Sequence, residues 1–182
     1  MPNLIETTPC DGLLPVSAGE LLLSECAPAR VTSVAPFRGK TRAVGAALKA
    51  MGLGWPGPGR SVATGDAAIV WTGQDQAFLI GAAPEGLEAI AALTDQSDAW
   101  ARMRLSGPGA GAALARLVAL DLRAGAFPKG AVARAGLNHM MMVLLREAGD
   151  VFQIMVFRSM AGTAVHELHQ AMKAVVARAA LR

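Results

Sequence analysis

The stretch from residue 100 to residue 130 constrains the fold of this chain more than any other. It begins with a short apolar run that ends at Ser106, Gly107 and Pro108, which predicts a strand followed by a sharp turn. Ser106 is a suitable N-cap, and Pro108 suits the first turn of a helix. Apolar residues then recur at helical spacing, at Ala110, Ala113, Leu114, Leu117 and Val118. We therefore expect a strand, a tight corner and a helix, with a loop after Asp121.

The same stretch contains a glycine pattern typical of dinucleotide-binding proteins. Gly107, Gly109 and Ala112 match G-x-G-x-x-A between a predicted strand and a predicted helix. The motif also needs a second parallel strand that ends in an acidic residue roughly 20 positions later, and residues 123–130 contain neither. We favour a corner in which small residues let the helix lie close to the sheet. A nucleotide-binding protein is kept as a third hypothesis.

The order of the predicted elements indicates a single α+β domain over residues 30–182. Its first part, residues 30–105, has the ferredoxin-like order β-α-β-β-α-β, with elements predicted at 30–37, 41–51, 67–72, 76–81, 84–93 and 98–105. Its second part, residues 106–182, contains the helix after the corner, three strands and a long C-terminal helix. These last four elements are predicted at 131–137, 140–147, 151–157 and 159–182.

Residues 1–29 are predicted to be an N-terminal arm, because Pro2, Pro9, Pro15 and Pro28 interrupt any regular element. Residues 20–26 could alternatively form one or two helical turns. The arm contains six leucines, five of them between residues 13 and 23, which is apolar for a solvated tail. It therefore packs either on its own domain or on a partner.

Composition excludes several functional classes. The net charge is +3, but the arginines are spread along the chain, aromatic residues make up 4% and tyrosine is absent, so nucleic-acid binding is not expected. No apolar run reaches the length of a membrane span, and the first residues do not resemble a signal peptide. We therefore expect a cytoplasmic protein without a membrane partner. Cys10 and Cys26 lack C-x-x-C spacing and are expected to be free thiols.

No catalytic motif is apparent in the sequence. His166 and His169 lie three positions apart, but HELH is not the H-E-x-x-H zinc motif, and the serines lack G-x-S-x-G context. We predict no catalytic, cofactor-binding or metal-binding residue. Residues 140–142 are all methionine, and a strand would point one of them to a surface, where adaptable side chains suit a protein interface.

Several short patterns in the second half carry a resemblance to a known family. They are Leu105-Ser106-Gly107-Pro108, Leu120-Asp121-Leu122, Ala126-Phe127-Pro128 with Gly130, and the strand at 151–157 running through Arg158-Ser159 into the last helix. At this spacing, the chain resembles the gamma subunit of heterotetrameric sarcosine oxidase over residues 31–182. The first half matches in the order of its elements more than in its residues.

The resemblance implies a fold like the folate-binding fold of the glycine-cleavage aminomethyltransferase, and assembly with alpha, beta and delta subunits. Such a complex oxidises sarcosine with oxygen to glycine and hydrogen peroxide, and passes the one-carbon unit to tetrahydrofolate. The resemblance places FAD, FMN and NAD on the alpha and beta subunits and zinc on delta. It implies no cofactor on this chain.

The aminomethyltransferase relatives use an acidic residue on a strand after the central helix. The corresponding predicted strands contain no acid before Glu147, so no catalytic residue is carried over. Arg104, Met141 and Arg158 are candidate subunit-interface residues, although arginine stems can also simply cover apolar surface. We expect a non-catalytic gamma subunit with an exposed apolar surface. The alternative is a stand-alone folate-binding or one-carbon-transfer protein of the same fold, which would need a deep pocket with a buried carboxylate.

Overall fold

The computed structural model describes residues 5–181, which form two antiparallel sheets and three α-helices. The strands are β1 Val16–Ala18, β2 Leu21–Glu25, β3 Val31–Pro36, β4 Ser61–Thr64, β5 Ala67–Gly73, β6 Gln76–Ile80, β7 Ala91–Asp95, β8 Trp100–Ser106, β9 Val132–Leu137, β10 Met140–Ala148 and β11 Val151–Phe157. The helices are α1 Thr41–Lys49, α2 Ala110–Leu114 and α3 Ala161–Ala179, with a 3₁₀ turn at Arg158–Met160.

The larger sheet has the strand order β1-β2-β8-β11-β10-β9, and the smaller has the order β4-β5-β6-β3-β7. An antiparallel bridge between Arg60 and Ala131 links the two sheets. It is flanked by backbone hydrogen bonds from Ser61 N to Gly130 O (2.9 Å) and from Val132 N to Gly59 O (2.8 Å). Arg134 of β9 also donates to the Thr72 carbonyl oxygen of β5 at 3.3 Å, and a cleft is left between the sheets elsewhere.

The α+β class and the long C-terminal helix are confirmed, but the ferredoxin-like order is not the one observed. Residues 84–90 form no helix, and the last three residues of the predicted helix belong to the strand at Ala91–Asp95. Gly86 has a φ of 76°, a left-handed conformation that cannot continue a right-handed helix. In addition, β4 was not predicted, and β8 belongs to the other sheet.

The described part of the predicted N-terminal arm, residues 5–29, packs on the chain's own domain, while residues 1–4 lie outside the described residues. The helical alternative for residues 20–26 is wrong, because β2 pairs antiparallel with β8. Leu21 and Leu23 are 2% and 0% exposed, whereas Leu22 between them is 42% exposed. This alternation is the two-residue period of a strand.

The corner after β8 depends on a close backbone approach. Gly107 has a φ of 110°, and a Cβ at this position would lie 2.2 Å from the carbonyl oxygen of Glu20. Ser106 does not cap the helix as predicted; its hydroxyl lies 3.5 Å from the carbonyl oxygen of Leu22, and Gly109 precedes α2. The pairings of the described strands are all antiparallel, so the glycines serve a tight corner and not a dinucleotide-binding βαβ unit.

The larger sheet has two faces, which we name by what lies against them. The helical face carries Ala101, Met103 and Leu105 of β8 and packs on α2 and α3 in the largest apolar cluster of the chain. The inter-sheet face carries the alternate residues of β8 and meets the smaller sheet. A second cluster fills part of that space, built from Val31, Val70, Phe78, Ile80, Trp100, Val132, Val143, Leu145 and Met155. A third cluster lies between the smaller sheet and α1.

Candidate functional site

The inter-sheet face is covered by apolar contacts over only part of its area. Beyond them the space opens into a cleft of about 1250 Å³, lined by residues of both sheets and of the connection from β2 to β3. Much of the wall facing the larger sheet is glycine and alanine, including Gly65, Ala68 and Gly81. Charged side chains project into the cleft from the larger sheet. The cleft is therefore polar on one side and lined by small side chains on the other.

The alternation of β8 brings two arginines to this cleft. Its sequence, WARMRLS, places apolar residues on the helical face and Arg102 and Arg104 on the inter-sheet face. Gln153 of β11 pairs in register with Arg104 and is 5% exposed. These three side chains therefore form a polar floor in a sheet that is otherwise apolar at its centre.

Arg104 is fully engaged by a carboxylate of the same chain. Its Nε and Nη2 donate to the two oxygens of Glu147 at 2.7 and 3.2 Å, which is a bidentate arrangement. This hydrogen bonding raises the pKa of Arg104. A register shift of β10 between Arg146 and Ala148 leaves Glu147 outside the regular ladder, where it can turn to the cleft.

Arg102, two positions earlier on the same face, is not engaged in this way. Its Nη1 donates to the carbonyl oxygen of Ala27 at 3.3 Å, and its buried Nε has no hydrogen-bond partner within the described chain. Burial lowers the pKa of Arg102, because the charged form loses hydration. None of the ion pairs within residues 5–181 includes it.

Arg146 also lines the cleft, but its guanidinium is hydrogen-bonded to backbone carbonyls of the same chain. The side chain is 6% exposed and lies over the Phe152 ring at 4.9 Å from the centroid. It donates to four backbone carbonyls, those of Leu122 (3.0 Å), Phe127 (2.7 Å), Ala148 (3.2 Å) and Gly149 (2.8 Å). Arg146 thus joins the loop before β9 to the turn between β10 and β11.

The half-buried carboxylates of the cleft are held by hydrogen bonds. Glu25 accepts from the Thr8 hydroxyl at 2.6 Å and from the Cys10 amide at 3.0 Å, and Glu147 accepts from Arg104. Both carboxylates therefore already have hydrogen-bond donors from their own chain. In the described part of the chain, no group of three His, Cys, Asp or Glu side chains is placed to hold a metal ion.

Both cysteines are free thiols with raised pKa values. Cys26 lines the cleft, where Gln153 Nε2 lies 3.5 Å from its sulfur, and burial raises its pKa. Cys10 is 1% exposed in the cluster on the helical face, and burial, with Glu25 nearby, raises its pKa to about 12. Neither thiol is activated as a nucleophile, since activation requires a lowered pKa.

The three candidate interface residues do not form one patch. Arg104 lies at the cleft, and its row of the sheet, through Gln153 and Leu145, is four positions of β10 from Met141, or roughly 13 Å along the strands. Met141 is 44% exposed between the buried Met140 and Met142, which is the alternation expected from the sequence. Arg158 donates to the Thr7 carbonyl oxygen at 2.6 Å and so fastens the N-terminal segment.

Sequence reasoning did not find the cleft, Arg102, Gln153 or the role of Arg146. One indication was present, because Arg102 and Arg104 share one face of a predicted strand whose other face is apolar.

Glu167 on α3 accepts a hydrogen bond from the Asn138 side chain, and His166 is exposed beside Glu167. The described helices include none long and apolar enough to cross a membrane.

Comparison with known proteins shows a similarity to a solved structure. No protein-family model matches the sequence, and no curated protein matches it. Among solved structures, the chain resembles a chain of the heterotetrameric sarcosine oxidase from Corynebacterium sp. U-96, determined in complex with pyrrole 2-carboxylate. The TM-score is 0.81 at 24% identity, over 94% of this chain and 96% of that chain. The two chains therefore share a fold over nearly their whole lengths.

Proposed function

We propose that this chain is the gamma subunit of a heterotetrameric sarcosine oxidase and serves the complex as a non-catalytic, structural subunit. The observation that carries this proposal is the shared fold, which extends over 94% of this chain and 96% of a chain of such an enzyme. Coverage of this extent in both directions favours a whole-subunit counterpart over a shared module. The corner at residues 105–108 and the pattern at 120–130 support the same assignment.

The arrangement of charges in the cleft favours a structural role. Glu25 and Glu147 are both held by hydrogen bonds, and both thiols have raised pKa values. A stand-alone one-carbon-transfer enzyme would need a buried carboxylate in a deep pocket that is left available to a ligand. We therefore prefer the subunit to the folate-binding alternative.

The proposal implies partners and chemistry that lie outside this chain. Alpha, beta and delta subunits would surround it, with FAD, FMN and NAD on alpha and beta and zinc on delta. The assembled enzyme would oxidise sarcosine to glycine in the cytoplasm, release hydrogen peroxide and pass the one-carbon unit to tetrahydrofolate. This chain would contribute no group to those steps.

We assign subunit contact to the exposed apolar residues at the end of the larger sheet, together with Arg104 and Arg158. Met141, Phe157 and Met160 are 44%, 43% and 41% exposed, and Met141 and Phe157 lie on adjacent strands. Large apolar side chains of this kind are favourable to bury in an interface.

The test is a pull-down of the tagged chain from its own cells, followed by an absorbance spectrum and an assay of the eluate. We expect a yellow eluate with flavin bands, larger chains in fixed ratio and oxidation of sarcosine. Met141→Glu is expected to reduce recovery of the larger chains, whereas Leu181→Glu, at an 88% exposed site at the end of the chain, is a matched control that leaves recovery unchanged.

A chain that comes out alone, colourless and with tight affinity for folate would overturn the proposal. That result would support the stand-alone folate-binding or one-carbon-transfer protein instead.

A further inference from the structure

Arg102 and Arg104 are a natural comparison within one site. They lie on the same strand, point to the same face and line the same cleft. Arg104 has a bidentate carboxylate in Glu147, whereas Arg102 has one carbonyl contact at 3.3 Å and a buried Nε without a partner. A part-buried guanidinium without a counter-charge is unfavourable for the folded chain. Such a group is favourable when the counter-charge is supplied from outside.

The other charges of the cleft leave a positive excess around Arg102. Glu147 is used by Arg104, Glu25 is held by Thr8 and the Cys10 amide, and the guanidinium of Arg146 is used by carbonyls. The remaining charged side chains that line the cleft are those of Arg30, Lys129 and Asp66, and all three are exposed. Together with Arg102, these two cations and one carboxylate give the lining of the cleft a positive excess that attracts anions.

We propose that the cleft binds a small-molecule anion and that Arg102 is its anchor, contacting a carboxylate or phosphate group of that ligand. The planar guanidinium fork matches both oxyanions. The amide of Gln153, beside it on the floor, supplies a neutral polar group, and the glycine and alanine wall leaves room for the body of the ligand. The site is defined by this chain's own residues, and it requires that partner subunits leave the cleft open around Arg102.

The test is isothermal titration of the full chain at low ionic strength, with inorganic phosphate and with glutarate as probes. We expect saturable binding of at least one probe, weakened at least tenfold in Arg102→Gln and retained in Arg116→Gln. Arg116 is an exposed arginine outside the cleft and is the matched control. Arg102→Lys keeps the charge but not the fork, so its affinity should fall between those of the wild type and Arg102→Gln.

A second measurement needs no variant and so does not depend on the folding of Arg102→Gln. Phenylglyoxal modification followed by peptide mapping should show protection of Arg102, and not of Arg116, by the probe that binds. No saturable binding of either probe, equal binding by Arg102→Gln, or equal losses in both glutamine variants would overturn the proposal. So would binding by the isolated chain that disappears in a purified complex, since a partner chain would then fill the cleft.

Discussion

The two faces of the larger sheet are built from alternate residues of the same strands, yet they differ in how completely they are closed. On the helical face, Met103, Leu105, Phe152 and Ile154 are 0% exposed beneath α2 and α3. On the inter-sheet face, an apolar cluster around Trp100 gives way to a cleft of about 1250 Å³. One face is thus a continuous core, and the other is a core that ends at a polar floor.

The arginines show what this difference teaches. Arg146 contributes to the lining of the cleft, but its guanidinium lies over Phe152 of the helical face, and four carbonyls of its own chain accept its hydrogen bonds. Arg104 on the other face is half exposed and paired, and Arg102 is incompletely partnered. A closed face must satisfy its polar groups internally, whereas an open face can leave them for a ligand or a partner. The inter-sheet face is therefore where we place function.

The largest expected loss of stability comes from a phenylalanine substitution on β11, a strand that carries one phenylalanine on each face of the sheet. Phe152→Ala removes a ring that is 0% exposed and lies under Arg146. We expect the free energy of unfolding, measured by urea denaturation, to fall by about 3–5 kcal/mol, through lost burial and a residual cavity.

Phe157→Ala is the matched control on β11. Phe157 is 43% exposed on the inter-sheet face and packs on Trp100 at 4.7 Å between ring centroids. We expect a loss of about 1 kcal/mol, in keeping with its partial burial. Equal losses for the two variants would mean that the faces do not differ in their share of the stability.

A smaller effect is expected from the arginines. Arg146→Met keeps an apolar stem over Phe152 but leaves four carbonyls without their donor, and we expect a loss of about 2–4 kcal/mol. Arg104→Met removes a half-exposed ion pair and should change stability by less than about 1 kcal/mol. Thermal unfolding of both variants measures the two losses of stability. A larger loss for Arg104→Met than for Arg146→Met would mean that Arg104, and not Arg146, is the arginine that stabilises the fold.

The sequence predicted those parts of the fold in which the apolar residues repeat with a single clear period, either that of a strand or that of a helix. The strands expected at 131–137, 140–147 and 151–157 are found at Val132–Leu137, Met140–Ala148 and Val151–Phe157. The segment at 84–93 was misassigned as a helix, and residues 20–26 were left as part of an arm with a helical alternative, because short runs such as Leu21–Leu23 fit a strand and a helix equally well. Their conformation is decided by distant partners, β8 for β2 and β3 for β7.

The site was less predictable because it is formed by contacts distant in the sequence. Its polar floor combines Arg102 and Arg104 of β8 with Gln153 of β11, and Cys26, which follows β2, lies next to Gln153. The free space depends on the seam at Arg60 and Ala131, which fixes how the two sheets meet. Neither the seam nor the separation of the sheets has a local sequence pattern. The local pattern that existed, arginine at alternate positions of β8, indicated a polar face but not what opposes it.

The last comparison concerns the pH dependence of stability that the Cys10 thiol on the helical face contributes. In the folded chain the pKa of Cys10 is raised from 9.0 to about 12, so between these pH values the unfolded chain releases a proton that the folded chain keeps. Stability from this thiol is therefore fully present below pH 9.0 and is lost as the pH rises toward about 12. We expect the Tm of the wild type to fall more steeply from pH 8.5 to about 11 than that of Cys10→Ala. Parallel Tm curves would show that the closed face does not hold Cys10 in its neutral form, and would weaken the contrast between the two faces.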